Sequence, residues 1–318
     1  MSYISSLTTE QVAALTTDNV VSLSTSQIQE LSSAQIVALT TDQAGVLTTA
    51  QVAALTTSQI DAFETEDLAA LTTSAVAALT TAQIQSLTTD QVAGLSSNQA
   101  GALTTVQLRV LTTEQLVALE TADFAALSTA AVAALTTTQT QALTTDQLGT
   151  LSSDEIVALT TAQVAALTTA QIVGLTTAQT GGLTSVQVRA LTTAQVKALE
   201  TADFAALATN TVAALTTAQV QALTTDQLGT LSSDEIVALT TAQVAALTTA
   251  QVAGLTTAQV GGLTSVQVKA LTTAQVKALE TDDLATLTTG AVAALTTAQV
   301  QALTTDQVVG LSSDQAKG

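Results

Sequence analysis

"LTTAQVAALTTAQIVGLTTAQTGGL", residues Leu159–Leu183, says nearly the same thing three times. The phrase Thr-Thr-x-Gln-Val-x-Ala-Leu returns every eight residues, and its reading decides the fold. With the frame set at Thr8, 38 complete octads run to Leu311 without insertion or deletion. Partial octads occupy 1–7 and 312–318, so one array is expected to fill residues 1–318. Position 8 is Leu in 37 of the 38, Phe63 being the exception, and position 4 is Gln in 28 of 39 units when "SSDQAKG" is counted. A register this strict makes each octad one structural unit.

Eight residues at about 100° each leave a residual of about 80° per repeat, so in one long helix the Leu positions would spiral round the surface. In a strand, Val at position 5 and Leu at position 8 would point to opposite faces. A β-solenoid with eight-residue arms is the alternative, and it would put Ala-rich stretches into strands, where Ala is depleted. A short helix in every octad, broken at Thr-Thr, fits better. Thr-x-x-Gln is a capping box: the Thr hydroxyl accepts from the backbone N–H three residues on, and the Gln side chain reaches back to the Thr N–H. The helix is expected over positions 2 to 8, with 1, 4, 5 and 8 on one face.

The charges support this reading independently. All six bases (Arg109, Arg189, Lys197, Lys269, Lys277, Lys317) fall at position 6, in the last turn, and 23 of the 25 acids fall at positions 1, 3 or 4, Glu30 and Asp61 being the exceptions. A helix dipole favours that distribution, and a β-solenoid has no use for it. Helices this short cannot stand alone in water, so each must be held by its neighbours. The expected fold is an all-α solenoid with two or three helices per turn and a Leu/Val core. Small residues at position 7, among them Gly94, Gly174, Gly182, Gly254, Gly262 and Gly310, would let backbones approach, and the doublets Gly181-Gly182 and Gly261-Gly262 read as close-packing sites.

The chain has no Cys, His, Pro or Trp, one Tyr and three Phe, and a net charge of −19. An acidic surface repels nucleic acid and anionic lipid, so neither is an expected partner. Thr pairs interrupt every apolar run, so no membrane insertion is expected. "MSYISSLTTEQV" lacks the basic and apolar regions of a secretory signal. An extracellular or cell-surface location reached without an N-terminal signal is expected, with a cytoplasmic one as the alternative. Absence of His and Cys removes a His-assisted nucleophile and a zinc or haem site, and no enzyme is expected.

A longer period overlies the octad. "ETADFAAL" at Glu120 recurs at Glu200 and, as "ETDDLATL", at Glu280, while "ETEDLAAL" at Glu64 lies 56 residues before Glu120. Both 80 and 56 are whole numbers of octads, which implies growth by duplication of segments. These octads pair two carboxylates three residues apart (Glu64/Asp67, Glu120/Asp123, Glu200/Asp203, Glu280/Asp283) and are the metal candidates, for Ca²⁺, which takes six to eight oxygens. The competing reading is an acidic variant of the cap, Asp replacing Gln. The octad after each also departs from Gln at position 4 (Ala75, Ala131, Thr211, Ala291). No other cofactor is indicated. "SSDEIVAL" at Ser152 and Ser232 is read as a charged first turn, and Phe63, Phe124 and Phe204 as core residues. Position 2, Thr or Ser in every complete octad, forms the free hydroxyl row.

"LTTEQVAAL" at Leu7–Leu15 and "LTTEQLVAL" at Leu111–Leu119 resemble the opening of the first helix of DNA-reading TAL effector repeats, and the resemblance ends after nine residues. Across the whole chain, Thr-rich octads of the "LTTAQVAAL" type resemble repeat regions of large bacterial surface and secreted proteins; unlike the calcium-binding nonapeptide family, there is no Gly-Gly-x-Gly-x-Asp. With the solenoid reading, the expectation is a structural repeat protein of a bacterial surface or extracellular assembly: a stiff acidic rod, filament subunit or stalk, homo-oligomeric by end-to-end stacking because neither terminal repeat is a polar cap. The alternative is a binding module, adhesin-like, holding ice or glycan through its Thr rows, as ice-binding solenoids use Thr arrays.

Overall fold

The structure, a computed structural model, describes residues 3–317; Met1, Ser2 and Gly318, which belong to the two partial octads, lie outside them. Among the described residues 38 α-helices begin eight residues apart, from Thr9–Ala13 to Thr305–Val309, each four to six residues long. Short 3-10 helices occupy Tyr3–Ser6 and Gln315–Lys317, and no strand occurs among the described residues. The fold is all-α, and the β-solenoid alternative is set aside.

The octad at Thr48–Leu55 shows how the sequence builds the unit. Thr48 is extended (φ −73°, ψ 157°), and its hydroxyl accepts from the Gln51 N–H at 3.2 Å while the Thr48 N–H donates to Gln51 Oε1 at 2.9 Å. The helix covers Thr49–Ala54 and stops because Leu55 is extended (φ −55°, ψ 142°), as is the next cap, Thr56 (φ −75°, ψ 160°). The break therefore falls at Leu-Thr rather than Thr-Thr, and the helix is shorter than positions 2 to 8. Two extended residues turn the chain without any positive φ among the described residues, which is why no glycine cap is needed.

Val52 and Leu55 are buried, as are most of their counterparts at positions 5 and 8, with Val300 and Val308 near the end of the array exposed. Each such side chain contributes roughly 1.5–3 kcal/mol of hydrophobic stabilisation. Gln51 is buried with them, whereas Thr48 is exposed, so position 1 does not share the core face expected for it.

The helices group into two units, Met1–Leu159 and Thr160–Gly318. Within each, a helix packs on the one three further along: Thr25–Gln29 on Thr49–Ala54 in the first, Thr193–Ala198 on Thr217–Ala222 in the second. A second link runs to the fourth neighbour. Gln51 Nε2 donates to the carbonyls of Val20 (2.8 Å), Val21 (3.2 Å) and Leu23 (2.9 Å). Gln195 Nε2 does the same to Val164 (3.1 Å) and Leu167 (2.6 Å). One carboxamide thus starts its own helix with its oxygen and satisfies the orphan carbonyls of a helix end in the previous turn with its nitrogen. A turn needs more than three octads, not two or three.

Candidate functional site

The Glu-Thr-x-Asp octads depart from this pattern in the same way each time. Glu64, Glu120, Glu200 and Glu280 stand at the N-cap yet make no side-chain cap hydrogen bond, so the acidic cap expected there is not formed. Asp67, Asp123, Asp203 and Asp283 are buried. Asp123 Oδ1 accepts from Ser97 Oγ at 2.6 Å and Asp203 Oδ1 from Thr177 Oγ1 at 2.8 Å, both from the position-2 row of the helix three octads back. Burial pushes the Asp67 carboxyl above its ordinary value; a hydrogen bond from Thr41 acts against this, and the charges of Glu64 and Glu66 add to it.

Asp is shorter than Gln, and its helix sits closer to that third neighbour. A Cβ on Gly101 would lie 2.8 Å from the Ala126 carbonyl oxygen, one on Gly181 would lie 3.1 Å from that of Ala206, and one on Gly45 would lie 3.3 Å from that of Ala70. Glycine at position 6, 22 residues before the Asp, is what the approach requires.

The four acidic pairs are not brought together. Among the described residues no three Asp or Glu side chains gather where a metal ion could be held.

Position-1 hydroxyls are occupied by capping throughout, for example Thr88 with the Gln91 N–H at 3.1 Å and Thr248 with that of Gln251 at 3.1 Å. Backbone hydrogen bonding at its own N–H, with help from the Thr8 hydroxyl, holds the Glu10 carboxyl below its ordinary value, and Glu114 is lowered in the same way with Thr112. Among the described residues one ion pair forms, Lys317 Nζ to Asp314 Oδ1 at 3.7 Å. Arg109, Arg189, Lys197, Lys269 and Lys277 make none. Lys197 lies beside an open groove of about 550 Å³ with Thr193, Gln221, Thr224 and Thr225, and Lys277 lies in its counterpart eighty residues on, of about 610 Å³. These grooves offer an ammonium and hydroxyls, but no nucleophile paired with a base. No helix among the described residues is long and apolar enough to cross a membrane.

Sequence reasoning found the Glu-Thr-x-Asp octads but missed their hydroxyl partners and the second role of Gln. The fold and the octad define a tandem-repeat solenoid of short capped helices. Residues 20–57, 60–97, 116–153, 153–185, 196–233, 228–257, 250–281 and 276–313 match the ALTTAQ repeat. The chain belongs to the ALTTAQ repeat family, whose matched segments each span several octads. No curated protein matches the chain.

Proposed function

We propose that the chain is a non-enzymatic structural element: a stiff acidic rod or stalk of a bacterial surface or extracellular assembly, its length set by the number of octads. The observation that carries this reading is the polarity of the link between turns. Every regular turn presents carboxamide N–H donors toward the preceding turn and backbone carbonyls toward the following one, as Gln83 does toward Val52 (2.8 Å) and Leu55 (2.7 Å). Such a contact is heterologous and does not close on itself, so turns of another copy can add where turns of the same chain would. The net charge of −19 opposes side-by-side aggregation.

Small-angle scattering and negative-stain microscopy test both parts. Elongated particles that lengthen in proportion when the Thr144–Leu223 block of ten octads is duplicated support the rod, and compact particles refute it. Lengthening with protein concentration supports end-to-end stacking; a single length at every concentration refutes that part alone. A second reading, a binding module, is favoured by the two equivalent grooves at Lys197 and Lys277. Glycan-array binding lost in K197A/K277A would support it. Absence of both glycan binding and thermal hysteresis would retire it.

A further inference from the structure

We infer that the array has two built-in opening points, centred on the octads at Glu120 and Glu200, where adjacent turns separate before they do anywhere else. A regular helix is linked by carboxamide nitrogens on both sides: its own Gln reaches back four octads, and the Gln four octads ahead reaches back to it. The helix at Thr81–Ser86 shows the full set. Gln83 donates to Val52 and Leu55, and Gln115 donates to Ile84 (3.0 Å) and Leu87 (2.7 Å).

At Glu120 both sides are missing. Asp123 has no N–H to offer and only accepts from Ser97, and the next octad carries Ala131 at the same position. Four octads ahead stands Glu155. Its Oε2 accepts from the Ser152 N–H at 2.8 Å and the Ser152 hydroxyl at 2.9 Å, so the cap survives. As a carboxylate it has no donor for the carbonyls of Phe124 and Leu127, which stand where the carbonyls of Ile84 and Leu87 stand before Gln115. The arrangement recurs eighty residues on, with Asp203, Thr211 and Glu235, the last bonded to the Ser232 N–H at 2.7 Å and standing 31 and 28 residues after Phe204 and Leu207, the register at which Gln115 reaches Ile84 and Leu87.

The other two acidic octads keep the forward link. Gln99 donates to Leu68 (3.0 Å) and Leu71 (2.8 Å), and Gln315 to Leu284 (3.3 Å) and Leu287 (2.8 Å). Packing is lopsided at all four acidic octads, each lying more closely on the third helix before it than on the third after it, so the missing forward donor is what sets Glu120 and Glu200 apart. The four-residue helix Thr121–Phe124 lies closely on Ser97–Gly101 before it and only lightly on Thr145–Gly149 after it. Thr201–Ala205 likewise lies more closely on Thr177–Gly182 than on Thr225–Gly229. Each of these octads is anchored backward through its Asp and glycine partner and released forward, so a gap opens on one defined side. In a load-bearing element these two places would yield first and re-form.

Hydrogen exchange followed by mass spectrometry on the full chain tests this. It reads local opening whatever the length or assembly of the particle, so it can fail while the rod reading stands. Peptides covering Glu120–Leu135 and Glu200–Leu215 are expected to exchange at least about tenfold faster than those covering Thr48–Phe63, whose two octads are linked on both sides. E155Q should slow exchange at the first place only, and E235Q at the second only, because each restores the missing donor without altering the cap. Conversely, the Q83E/Q115E double variant, which removes the donors on both sides of the Thr80–Leu87 octad, should create a third fast segment there. Uniform exchange along the array would overturn the inference, as would E155Q and E235Q variants that exchange as the wild type does.

Discussion

Replacing Gln115 by Glu separates the two roles of the carboxamide. Glu keeps the acceptor that the Thr112 N–H reaches at 2.8 Å and loses the nitrogen that donates to Ile84 at 3.0 Å and Leu87 at 2.7 Å. Two lost buried hydrogen bonds cost about 1–3 kcal/mol. The new carboxylate also faces two carbonyl oxygens at a site only 3% exposed, which raises its pKa and adds to the loss at neutral pH. The sign of the pH effect follows. A carboxyl whose folded pKa is raised destabilises when ionised, so the deficit of Q115E should be largest at pH 7. It should shrink as pH falls through the folded pKa, where a protonated carboxyl can donate again. Urea denaturation followed at 222 nm, with Q115E and wild type compared at each pH so that other carboxylates cancel, measures this. If Gln served only as a cap, Glu in a first turn would be neutral or better by about 0.3–1 kcal/mol. A Q115E chain as stable as wild type at pH 7 would refute the inter-turn link.

Three further outcomes follow from the same geometry. Gly101→Ala puts a Cβ against the Ala126 carbonyl oxygen and should destabilise by about 1–3 kcal/mol, whereas Gly149→Ala, with nothing within 4 Å, should stabilise by about 0.4–1 kcal/mol in the same denaturation assay. Asp67→Asn should raise stability at pH 7. Burial lifts the Asp67 pKa, so the wild-type carboxyl favours folding below its ordinary value of 3.8 and loses that contribution as pH rises through the folded value; a wild-type-to-D67N difference that stays constant with pH would contradict this. Millimolar Ca²⁺ should leave the melting temperature unchanged, since each acidic octad supplies only two or three carboxylates, one of them an Asp turned into the core; a clear rise would mean that they share an ion.

The repeating unit was legible because its signals are local. A hydroxyl three residues before Gln, acids in first turns and bases in last turns all act within one octad, and the helices start where those signals place them. What could not be read directly spans 22 to 31 residues. The Gln nitrogen meets carbonyls 28 and 31 residues back, as Gln59 meets Leu31 and Ile28, and no local pattern names that partner. A clue was present: position 4 holds Gln in 28 units and Glu in two, although the helix dipole alone favours Glu there. A neutral amide kept against that preference signals that a donor is needed. The glycines at 45, 101, 181 and 261, each 22 residues before an Asp, were equally visible, but they acquire meaning only once helices are known to pack on their third neighbours.

Packing on the third neighbour and hydrogen bonding to the fourth together explain why whole octads are the unit of change. Because the two links have different reach, neither divides the chain into fixed turns, and every regular octad meets the same kinds of neighbour as the next. Adding or removing any whole number of octads, odd or even, renews both links with new but equivalent partners. That accounts for acidic octads spaced by seven octads once and by ten twice, from Glu64 to Glu120, Glu200 and Glu280. An insertion of one residue would move a buried Val/Leu pair and a carboxamide off register at once, leaving helix-end carbonyls unpaired in two turns. The array is therefore strict in register and free in length, and where position 4 holds Asp, Ala, Thr or Glu a carboxamide donor toward the preceding turn is given up.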